Sequence, residues 1–383
     1  HNLYANVILD PRERLYRCWY SPFIVDPAVT ETPAAQRATT RYKPHDREMG
    51  ICYATSREGL TWEKPALGIT NFNGSTANNL VLRGPHGAGI FRDEHETDSA
   101  RRFKLFARAS ESVRQMAVAF SPDGLRWGAL KLCPEINVPG DTHNNAFWSP
   151  ELGKYVGITR MKTDQRLVAR TESADFIHWT RAVEVLRGGT SNQTYAMPVF
   201  RHAGVYLGLL AIFNTKTDRT HCELAWSADT VAWRRIQPGT PLIPLGENRG
   251  DYDWGCAYPA ATPVILDNEI RLYYGASNGP HTNWRDGFLA LATLRPDGFA
   301  GFAEADFVLE GEYRMGHQEQ LYIENQAMIA VPTEDGGVTV HGSLQCPYYV
   351  QPALKRALAL DDRRARVIQA ETGGGFGGKE EYP

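Results

Sequence analysis

The sequence predicts an all-β protein in which a five-bladed β-propeller is followed by a small, partial α+β segment. The main observation is a short sequence motif that recurs along the chain. It has Ser first, an acidic residue two positions later and Trp six positions later. The four tryptophans are 65, 52 and 54 residues apart, and such a period indicates a radial or stacked repeat. Each copy follows an alternating or apolar run, so the local unit is strand, turn, strand, and four strands make a propeller blade. The copies occupy residues 56–62, 121–127, 173–179, 227–233 and, in a decayed form, 295–299.

The phrase itself has a structural role. Ser and Asp side chains cap backbone N–H groups within tight turns, and Gly supplies a positive φ where the turn requires one. The Trp is then expected to lie between neighbouring blades and to exclude water there. The acidic residues of these turns are therefore not counted as catalytic carboxylates.

The five blades follow from strand patterns and turn residues. A polar insertion at 21–46, rich in Pro, Ala, Thr and Arg, is predicted to be a long loop over one face. A second connecting segment, 66–86, leads into the second blade. The predicted blades span residues 4–65, 89–132, 141–185, 194–236 and 258–302.

The character of the sequence changes after residue 302. Ala, Arg and Glu become frequent, and apolar residues at helical spacing predict a helix over 352–360. A strand at 365–370 and a glycine cluster follow, without a sixth copy of the turn phrase. We therefore expect a domain boundary near 303–310, with a propeller at 1–302 and a truncated segment at 303–383.

Composition limits the classes of partner. The chain has 383 residues, 42% of them hydrophobic and 22% charged, with a net charge of −3, as in ordinary globular proteins. No basic run indicates a nucleic acid or an anionic membrane, and no apolar run of about 18 residues predicts a membrane span. The chain begins at His1 without a visible signal peptide, so we expect a truncated N-terminus and leave localisation and oligomeric state open.

The six cysteines show no metal-binding or disulfide pattern. No CxxC and no Cys/His spacing occurs, so buried free thiols and no metal site are predicted. The cysteines are Cys18, Cys52, Cys133, Cys222, Cys256 and Cys346.

Several longer phrases accompany the repeated turns, at residues 62–65, 72–79, 141–148 and 273–279. Together they make residues 1–302 resemble five-bladed propeller proteins of the glycoside hydrolase kind, the broad group of invertase, levanase and arabinanase relatives. The resemblance implies an oligo- or polysaccharide substrate and no cofactor for the propeller. The Asn-Asp-Pro-Asn and Arg-Asp-Pro catalytic signatures of invertase relatives are absent. Residues 92–94, Arg-Asp-Glu, match the second signature only in part.

Polar residues just before the innermost strands converge at one end of a propeller funnel, where a ligand can bind. Glycoside hydrolysis needs two carboxyl groups, ~5–5.5 Å apart for retention and ~6.5–9.5 Å apart for inversion. Asp141 with Asp253, or with Asp251, is the best predicted pair, and His143 is a candidate base or a group that shifts a neighbour's pKa. Candidate substrate-binding residues are Asn144, Asn145, Tyr195, Asp251, Trp254, Tyr258 and His281.

Purely structural roles are the alternatives for these residues. Asp141 and Asp251 could cap turns before strands, and Arg160 and Arg285 could hold a carboxylate or simply be structural. Asp141→Asn or Asp253→Asn is expected to abolish cleavage without unfolding the propeller. A carbohydrate-binding propeller without turnover is the alternative function.

The tail carries a second, unrelated resemblance. Residues 318–324, 342–348, 366–368 and 373–380 are similar to the molybdenum-binding subunit of xanthine dehydrogenase and aldehyde oxidase. In that family Gln345, Gly375, Phe376 and Gly377 would lie against the molybdenum cofactor. The match covers about 75 residues and stops at Pro383, so the join indicates a fused or misassembled gene fragment. Molybdopterin is expected only if the tail were complete, and a molybdenum hydroxylase fragment fused to a propeller is a further alternative.

Overall fold

The structure is a computed structural model, and it describes residues 3–299, 327–374 and 379. The chain forms two compact units, residues 1–308 and 309–383. The regular elements of the described residues are mostly strands, with few helices, so the predicted all-β class of the first unit is confirmed. The predicted boundary near 303–310 and the predicted cofactor residues Gly375, Phe376 and Gly377 lie outside the described residues.

The first sheet contains five strands around a long central one. Its order is β1-β2-β4-β3, and β5 also pairs with β4. All pairs are antiparallel, with Asn6 opposite Trp19 and Tyr16 opposite Ser56. The strands are β1 (Asn6–Asp10), β2 (Leu15–Tyr20), β3 (Phe23–Val25), β4 (Glu48–Ser56) and β5 (Leu80–Arg83).

The second and third sheets are four-stranded antiparallel meanders, in which each strand pairs with the next along the chain. Their middle strands are almost fully buried, because both faces pack against neighbouring apolar side chains. The second sheet contains β6 (His86–Arg92), β7 (Phe103–Arg108), β8 (Met116–Ser121) and β9 (Lys131–Leu132). The third contains β10 (Asn145–Ser149), β11 (Lys154–Lys162), β12 (Arg166–Ser173) and β13 (Val183–Arg187).

A nine-stranded sheet completes the first unit in the described residues. It consists of two antiparallel groups joined by one parallel pairing, Thr220 with Cys256. The first group contains β14 (Asn192–Ala196), β15 (Val199–His202), β16 (Val205–Asn214), β17 (Arg219–Ser227) and β18 (Arg234–Arg235). The second contains β19 (Cys256–Pro259), β20 (Val264–Ile265), β21 (Ile270–Ser277) and β22 (Gly287–Leu294).

The repeated phrase forms the capped turn that the sequence predicts. In the second copy Ser121 Oγ accepts a hydrogen bond from the N–H of Gly124 at 2.9 Å. Asp123 Oδ1 accepts from the N–H groups of Leu125 and Arg126, each at 2.8 Å. The position after the acid has a positive φ, +78° at Gly124, which explains why glycine occurs there in two full copies.

The tips of these turns pack against the preceding group of strands. Trp19 Nε1 donates to the carbonyl of Gly124 at 2.6 Å, and Arg170 Nε donates to Thr230 Oγ1 at 2.9 Å. Tyr273 OH, in the last group of strands, donates at 2.9 Å to the carbonyl of Gly59, in the turn that follows β4 of the first sheet. The first sheet therefore contacts the last one of this unit.

The insertion at 21–46, predicted to be a long loop, contains short regular elements. It contains strand β3, helix α1 (Pro27–Glu31) and a short 3₁₀ turn, Ala34–Gln36. Pro27 stands in the first turn of α1, where its missing N–H costs no hydrogen bond. Strand β3 pairs with β4, which holds the start of the insertion against the first sheet.

The second unit contains a three-stranded sheet of order β23-β24-β25, with helix α2 between β24 and β25. The helix begins at Pro347, five residues before the predicted start at 352, because a proline in the first turn has the backbone angle that a helix needs. It ends at Leu358, and the next residue, Ala359, has a left-handed conformation. The elements are β23 (Met328–Pro332), β24 (Val338–Gly342), α2 (Pro347–Leu358) and β25 (Ala365–Gln369).

The cysteines are free, as predicted: five are buried and Cys346 is partly buried. Burial raises the pKa of the Cys18 thiol to about 12, so this side chain is an unreactive apolar group at neutral pH. Within the described ranges, no helix is long and apolar enough to span a bilayer.

Candidate functional site

A cavity of about 540 Å³ lies in the first unit. Its wall combines the insertion with the loop at residues 281–285 and with polar side chains from several strand groups. The lining residues are Tyr4, Pro22, Phe23, Asp26, Val29, Arg41, Tyr42, Pro44, Arg47, His86, Asp141, Arg160, Arg166, Tyr195 and 281–285. Three predicted site residues, Asp141, Tyr195 and His281, therefore meet here.

The loop before β10 carries Asp141 and is held from behind by Asn144. The Asn144 amide nitrogen donates to the carbonyls of Gly87 and Gly140, both at 2.9 Å. Its Oδ1 accepts from Thr159 Oγ1 at 2.7 Å. Asn144 is fully buried, so its contacts position the loop, whereas the sequence predicted contact with substrate.

Gly87 lets this loop approach strand β6. Its φ is +59°, and a Cβ at this position would lie 1.7 Å from the carbonyl oxygen of Thr142. Any side chain here would push the loop and Asp141 out of place.

The Asp141 carboxylate is surrounded by cationic groups. Oδ1 lies 3.1 Å from His86 Nε2 and 3.9 Å from an Arg108 nitrogen, and Oδ2 lies 2.5 Å from Arg160 Nη2. Burial alone would raise the pKa of Asp141, but His86, Arg160 and Arg108 outweigh burial and hold this pKa well below its usual range. Its side chain remains 48% exposed, so an ionised carboxylate faces the cavity.

His86 connects Asp141 to a second carboxylate, Glu111. Its Nδ1 lies 3.1 Å from Glu111 Oε1. Burial lowers the pKa of His86, but the two carboxylates have the larger combined effect and raise it above its ordinary value. His86, held between two acids, fixes the orientation of Asp141.

Two arginines flank the ring of Tyr195. The guanidinium carbon of Arg160 lies 4.9 Å from the ring centroid and that of Arg166 lies 5.7 Å from it. The Tyr195 hydroxyl is 3.1 Å from the hydroxyl of Tyr4. This wall of the cavity is therefore aromatic and cationic.

The 281–285 loop contacts the insertion. Trp284 Nε1 donates to the carbonyl of Thr40 at 2.6 Å, and the rings of Trp284 and Tyr42 are 4.9 Å apart. Tyr42 OH in turn donates to Asp26 Oδ2 at 2.6 Å. These contacts hold Asp26 in the cavity wall.

His281 is held next to these arginines. Its Nδ1 lies 2.6 Å from the hydroxyl of Tyr258, which places the predicted substrate residue Tyr258 behind the cavity wall. Burial, and then the charges of Arg285, Arg166 and Arg160, lower the pKa of His281 well below its ordinary value. His281 is therefore neutral near pH 7.

His143 lies behind the cavity wall and is 1% exposed. Its Nδ1 is 3.3 Å from the carbonyl of Pro259, and its Nε2 has no hydrogen-bond partner among the described residues. Burial lowers the pKa of His143 to about 4, although contacts with the backbone of Pro259 and Ala88 act in the opposite direction. The role of His143 as a catalytic base stays a prediction. Its position behind the wall argues against direct contact with a ligand in the cavity.

The low pKa of His143 predicts an acid-sensitive fold. Unfolded His takes up a proton near pH 6.5, whereas folded His143 does so only near pH 4. Protonation therefore favours the unfolded chain as pH falls from about 6.5 to 4, and up to about 3 kcal/mol of unfolding free energy is lost. Urea unfolding at several pH values should show a shallower pH dependence in His143→Gln. The exposed control His45→Gln should retain the steep dependence, and equal slopes in all three proteins would contradict the assignment.

The other predicted residues make local contacts outside this cavity. Asn145 Oδ1 accepts from the N–H of Val199 at 3.0 Å, and Asp251 Oδ2 accepts from the N–H of Asn248 at 2.9 Å. Asp253 Oδ2 accepts from Tyr274 OH at 2.9 Å, and the Trp254 ring packs 4.5 Å from the guanidinium of Arg219. The structure does not place these four side chains in the wall with Asp141.

Sequence reasoning missed His86, Arg166, Asp26 and Trp284. The predicted second blade began at residue 89, three residues after the observed start of β6 at His86, so the polar residue at this strand start was overlooked. Asp26 and Trp284 come from connections, whose path the strand pattern does not predict.

In the second unit, Gln345 is the described member of the predicted cofactor set. Its Oε1 accepts from the N–H of Lys379 at 3.3 Å, and its own N–H donates to the Lys379 carbonyl at 2.9 Å. Lys379 Nζ donates to Ser343 Oγ at 2.9 Å. Gln345 is thus held against Lys379 within the second unit. In the described parts of the chain, no cluster of three or more His, Cys, Asp or Glu side chains could hold a metal.

Comparison with solved structures identifies the fold class of the first unit as that of propeller glycoside hydrolases, as the sequence predicted. A glycoside hydrolase superimposes with a TM-score of 0.52 and 14% identity over 82% of this chain and 90% of its own. A glycosyl hydrolase from Bacteroides ovatus gives a TM-score of 0.51 and 13% identity over 77% and 84%. A structure from the family of mannoside phosphorylases that contains glycoside hydrolases targeting β-1,2 mannosidic linkages in Candida mannan gives 0.51 and 12% over 77% and 84%. At these identities the likeness shows the fold alone.

The C-terminal segment has different relatives. Residues 288–383, about a quarter of the chain, match the family model of the molybdopterin cofactor-binding domain. The indole-3-acetaldehyde oxidase of Arabidopsis thaliana is 44% identical over 80 residues, and the xanthine dehydrogenase of Calliphora vicina is 42% identical over 79 residues. Each match covers 21% of this chain, which spans about 6% of the length of these curated relatives. The predicted second resemblance is confirmed, and the family match begins within β22 of the first unit.

Proposed function

We propose that the first unit closes into a ring of five blades, and that its cavity binds a carbohydrate and hydrolyses a glycosidic bond. The contact between Gly59 and Tyr273, which joins the first and last groups of strands, supports closure. The two antiparallel groups of the nine-stranded sheet share one parallel pairing, which favours counting them as two blades. With the first three sheets they make five.

The observation that carries the hydrolytic function is the half-exposed, ionised Asp141 in a cavity large enough for a sugar. A second carboxyl group, Asp26, lies in the same wall. Glycoside cleavage by paired carboxyl groups needs one ionised and one proton-donating member. Because His86 and Arg160 hold Asp141 in its charged form, we assign Asp141 as base or nucleophile and Asp26 as acid.

The surroundings of Asp26 favour this assignment. Its Oδ1 is buried and has no hydrogen-bond partner among the described residues, whereas Oδ2 accepts from Tyr42. Tyr42 thereby fixes one oxygen, and no other described group donates to the second oxygen, which can carry the proton that a general acid needs. The neighbouring rings of Tyr42 and Trp284 offer an aromatic surface on which a sugar face can stack.

Replacement of Asp26 separates this pair from the pair predicted by sequence, Asp141 with Asp253. Asp26→Asn is expected to reduce turnover of a cleavable glycoside by about 10²- to 10⁴-fold, the usual contribution of a general acid. Asp253→Asn should retain most turnover, because Asp253 contacts Tyr274 outside the cavity. The measurement is release of reducing sugar from a panel of α- and β-linked oligosaccharides.

Circular dichroism and thermal unfolding of both variants provide the folding control. Full activity of folded Asp26→Asn, with loss of activity in Asp253→Asn, would return the assignment to the sequence-predicted pair. Full activity in both variants would contradict catalysis by a pair of carboxyl groups.

A carbohydrate-binding propeller without turnover is the second candidate. The engagement of both Asp141 oxygens in ion pairs with His86 and Arg160 favours it, since a fully paired carboxylate can serve as a fixed recognition group. Calorimetry that detects oligosaccharide binding in a protein that releases no sugar from the same panel would select this function.

A further inference from the structure

The lining of the cavity is strongly cationic. Five arginines face two aspartates there, Asp26 and Asp141, although the whole chain carries a net charge of −3. The excess is therefore local and not a consequence of a basic protein. Such a concentration of one charge in a concave site attracts ligands of opposite charge. The five are Arg41, Arg47, Arg160, Arg166 and Arg285.

Arg166 lines the cavity without a carboxylate partner in the part of the chain that the structure describes. Among the described residues no carboxylate lies within ion-pair distance of it, and its Nη1 donates to the neutral Gln193 Oε1 at 2.9 Å. Its Nε is buried without a hydrogen-bond partner in the described part of the chain. A buried, unpaired donor on a charged group is costly unless a bound molecule satisfies it.

Arg160 presents a similar feature beside it. One of its terminal nitrogens, Nη2, pairs with Asp141, whereas Nη1 is buried and has no partner among the described residues. The two guanidinium groups lie on the same Tyr195 ring, 4.9 and 5.7 Å from its centroid. The two guanidinium groups together present more hydrogen-bond donors than the single carboxylate of Asp141 satisfies.

The titration of neighbouring groups agrees with a positive potential in the cavity. Burial and then the charge of Arg160 lower the pKa of Arg166. Burial, followed by the charges of three arginines, lowers the pKa of His281. Both groups lie in the wall, so an anion placed there would be stabilised from several sides.

We infer that the cavity recognises a sugar that carries its own carboxylate, a uronic acid, through Arg166 with Arg160 beside it. This inference rests on the proposed carbohydrate function of the same cavity. A carboxylate is planar and presents two oxygens to a guanidinium fork, which gives short, charge-assisted hydrogen bonds. A free oxyanion such as inorganic phosphate is the other source of the same charge, and the experiment separates the two.

The first measurement is binding by the full chain, which does not depend on turnover. Calorimetric titration with glucuronate, galacturonate, glucose and galactose compares sugars that differ at C6 by a carboxylate and a hydroxymethyl group. The uronates are expected to bind about ten- to a hundredfold more tightly than the neutral sugars, as charge-assisted hydrogen bonds predict. The affinity should fall as salt is raised.

The second measurement uses Arg166→Gln and, as a matched control, Arg187→Gln. Arg187 is exposed and pairs with Glu184, away from the cavity. Arg166→Gln should lose about tenfold or more in uronate affinity, a clearly larger factor than any change in the weak affinity for neutral sugars. Arg187→Gln should bind as the parent protein does, and thermal unfolding checks that both variants are folded.

Uronate-selective binding that depends on Arg166 supports the inference, even if no glycoside is cleaved; in that event only the proposed hydrolysis fails. Equal binding or cleavage of uronates and neutral sugars overturns the inference and leaves the hydrolase proposal standing. Tight binding of inorganic phosphate, with cleavage of neutral glycosides that requires added phosphate, assigns the arginines to a free oxyanion and also overturns it. Failure of every sugar to bind rejects both proposals.

Discussion

Asp141→Asn is expected to lower turnover of a cleavable glycoside by about 10²- to 10⁴-fold, the range for loss of a catalytic base. Asparagine has nearly the same shape but no charge, so His86 and Arg160 would remain and the reactive anion would be lost. The rate comparison should be made at saturating substrate, because the effect is expected in kcat. Loss of a nucleophile or base removes stabilisation of the transition state and not merely ground-state binding.

The same substitution also removes the carboxylate that His86, Arg108 and Arg160 share. We therefore expect a modest fall in Tm, measured on the same samples, and normal far-ultraviolet circular dichroism. Asp141→Glu keeps the charge but displaces it, and should fold with a smaller loss of stability while remaining slow. Near-normal kcat in folded Asp141→Asn would contradict any catalytic role for this residue.

Lys104→Met is expected to destabilise the first unit by about 3–5 kcal/mol, the usual effect of breaking a buried ion pair from one side. The Lys104 ammonium is fully buried and lies 2.9 Å from Asp93 Oδ2 and 2.8 Å from Glu96 Oε2. Tyr155, from the third sheet, donates to the same Asp93 oxygen at 2.7 Å. Methionine would fill the space and leave Asp93 charged in an apolar environment.

Urea unfolding followed by tryptophan fluorescence measures this effect. The matched control is Lys154→Met, because Lys154 pairs with Glu172 at 2.6 Å on the surface, where it is 46% exposed. That change should cost less than about 1 kcal/mol. Adding Asp93→Asn to Lys104→Met should recover part of the lost stability, and equal effects of Lys104→Met and Lys154→Met would refute the buried-pair explanation.

Local patterns predicted the elements of this chain well. The Ser121–Asp123 turn forms because its side chains cap backbone groups only two or three positions away, so no distant contact is needed. The strand predicted at 365–370 is observed at Ala365–Gln369. The predicted helix start was wrong by five residues. The spacing of apolar residues does not detect a helix that begins at a proline, here Pro347.

The site was predicted less well, because it depends on side chains that meet across long separations. Asp141 and Tyr195 were found by their positions before or at the start of inner strands. Asp253 has a similar sequence context, yet its carboxylate turns towards Tyr274. A position before a strand predicts which end of a sheet a residue occupies, but not the direction of its side chain.

The sequence by itself determined the all-β class, the repeated capped turns and the two unrelated resemblances, since all of these are encoded in short, local stretches. Only the tertiary structure decided that Asp26 and Arg166 share a cavity with Asp141, that His86 fixes its charge, and that Asn144 braces its loop. The physical reason is that the electrostatic environment of a carboxylate is set by groups within a few ångströms in space. In a chain of packed sheets, those groups come from separate strands and loops: His86 lies 55 positions before Asp141, and Asp26 lies 115 positions before it.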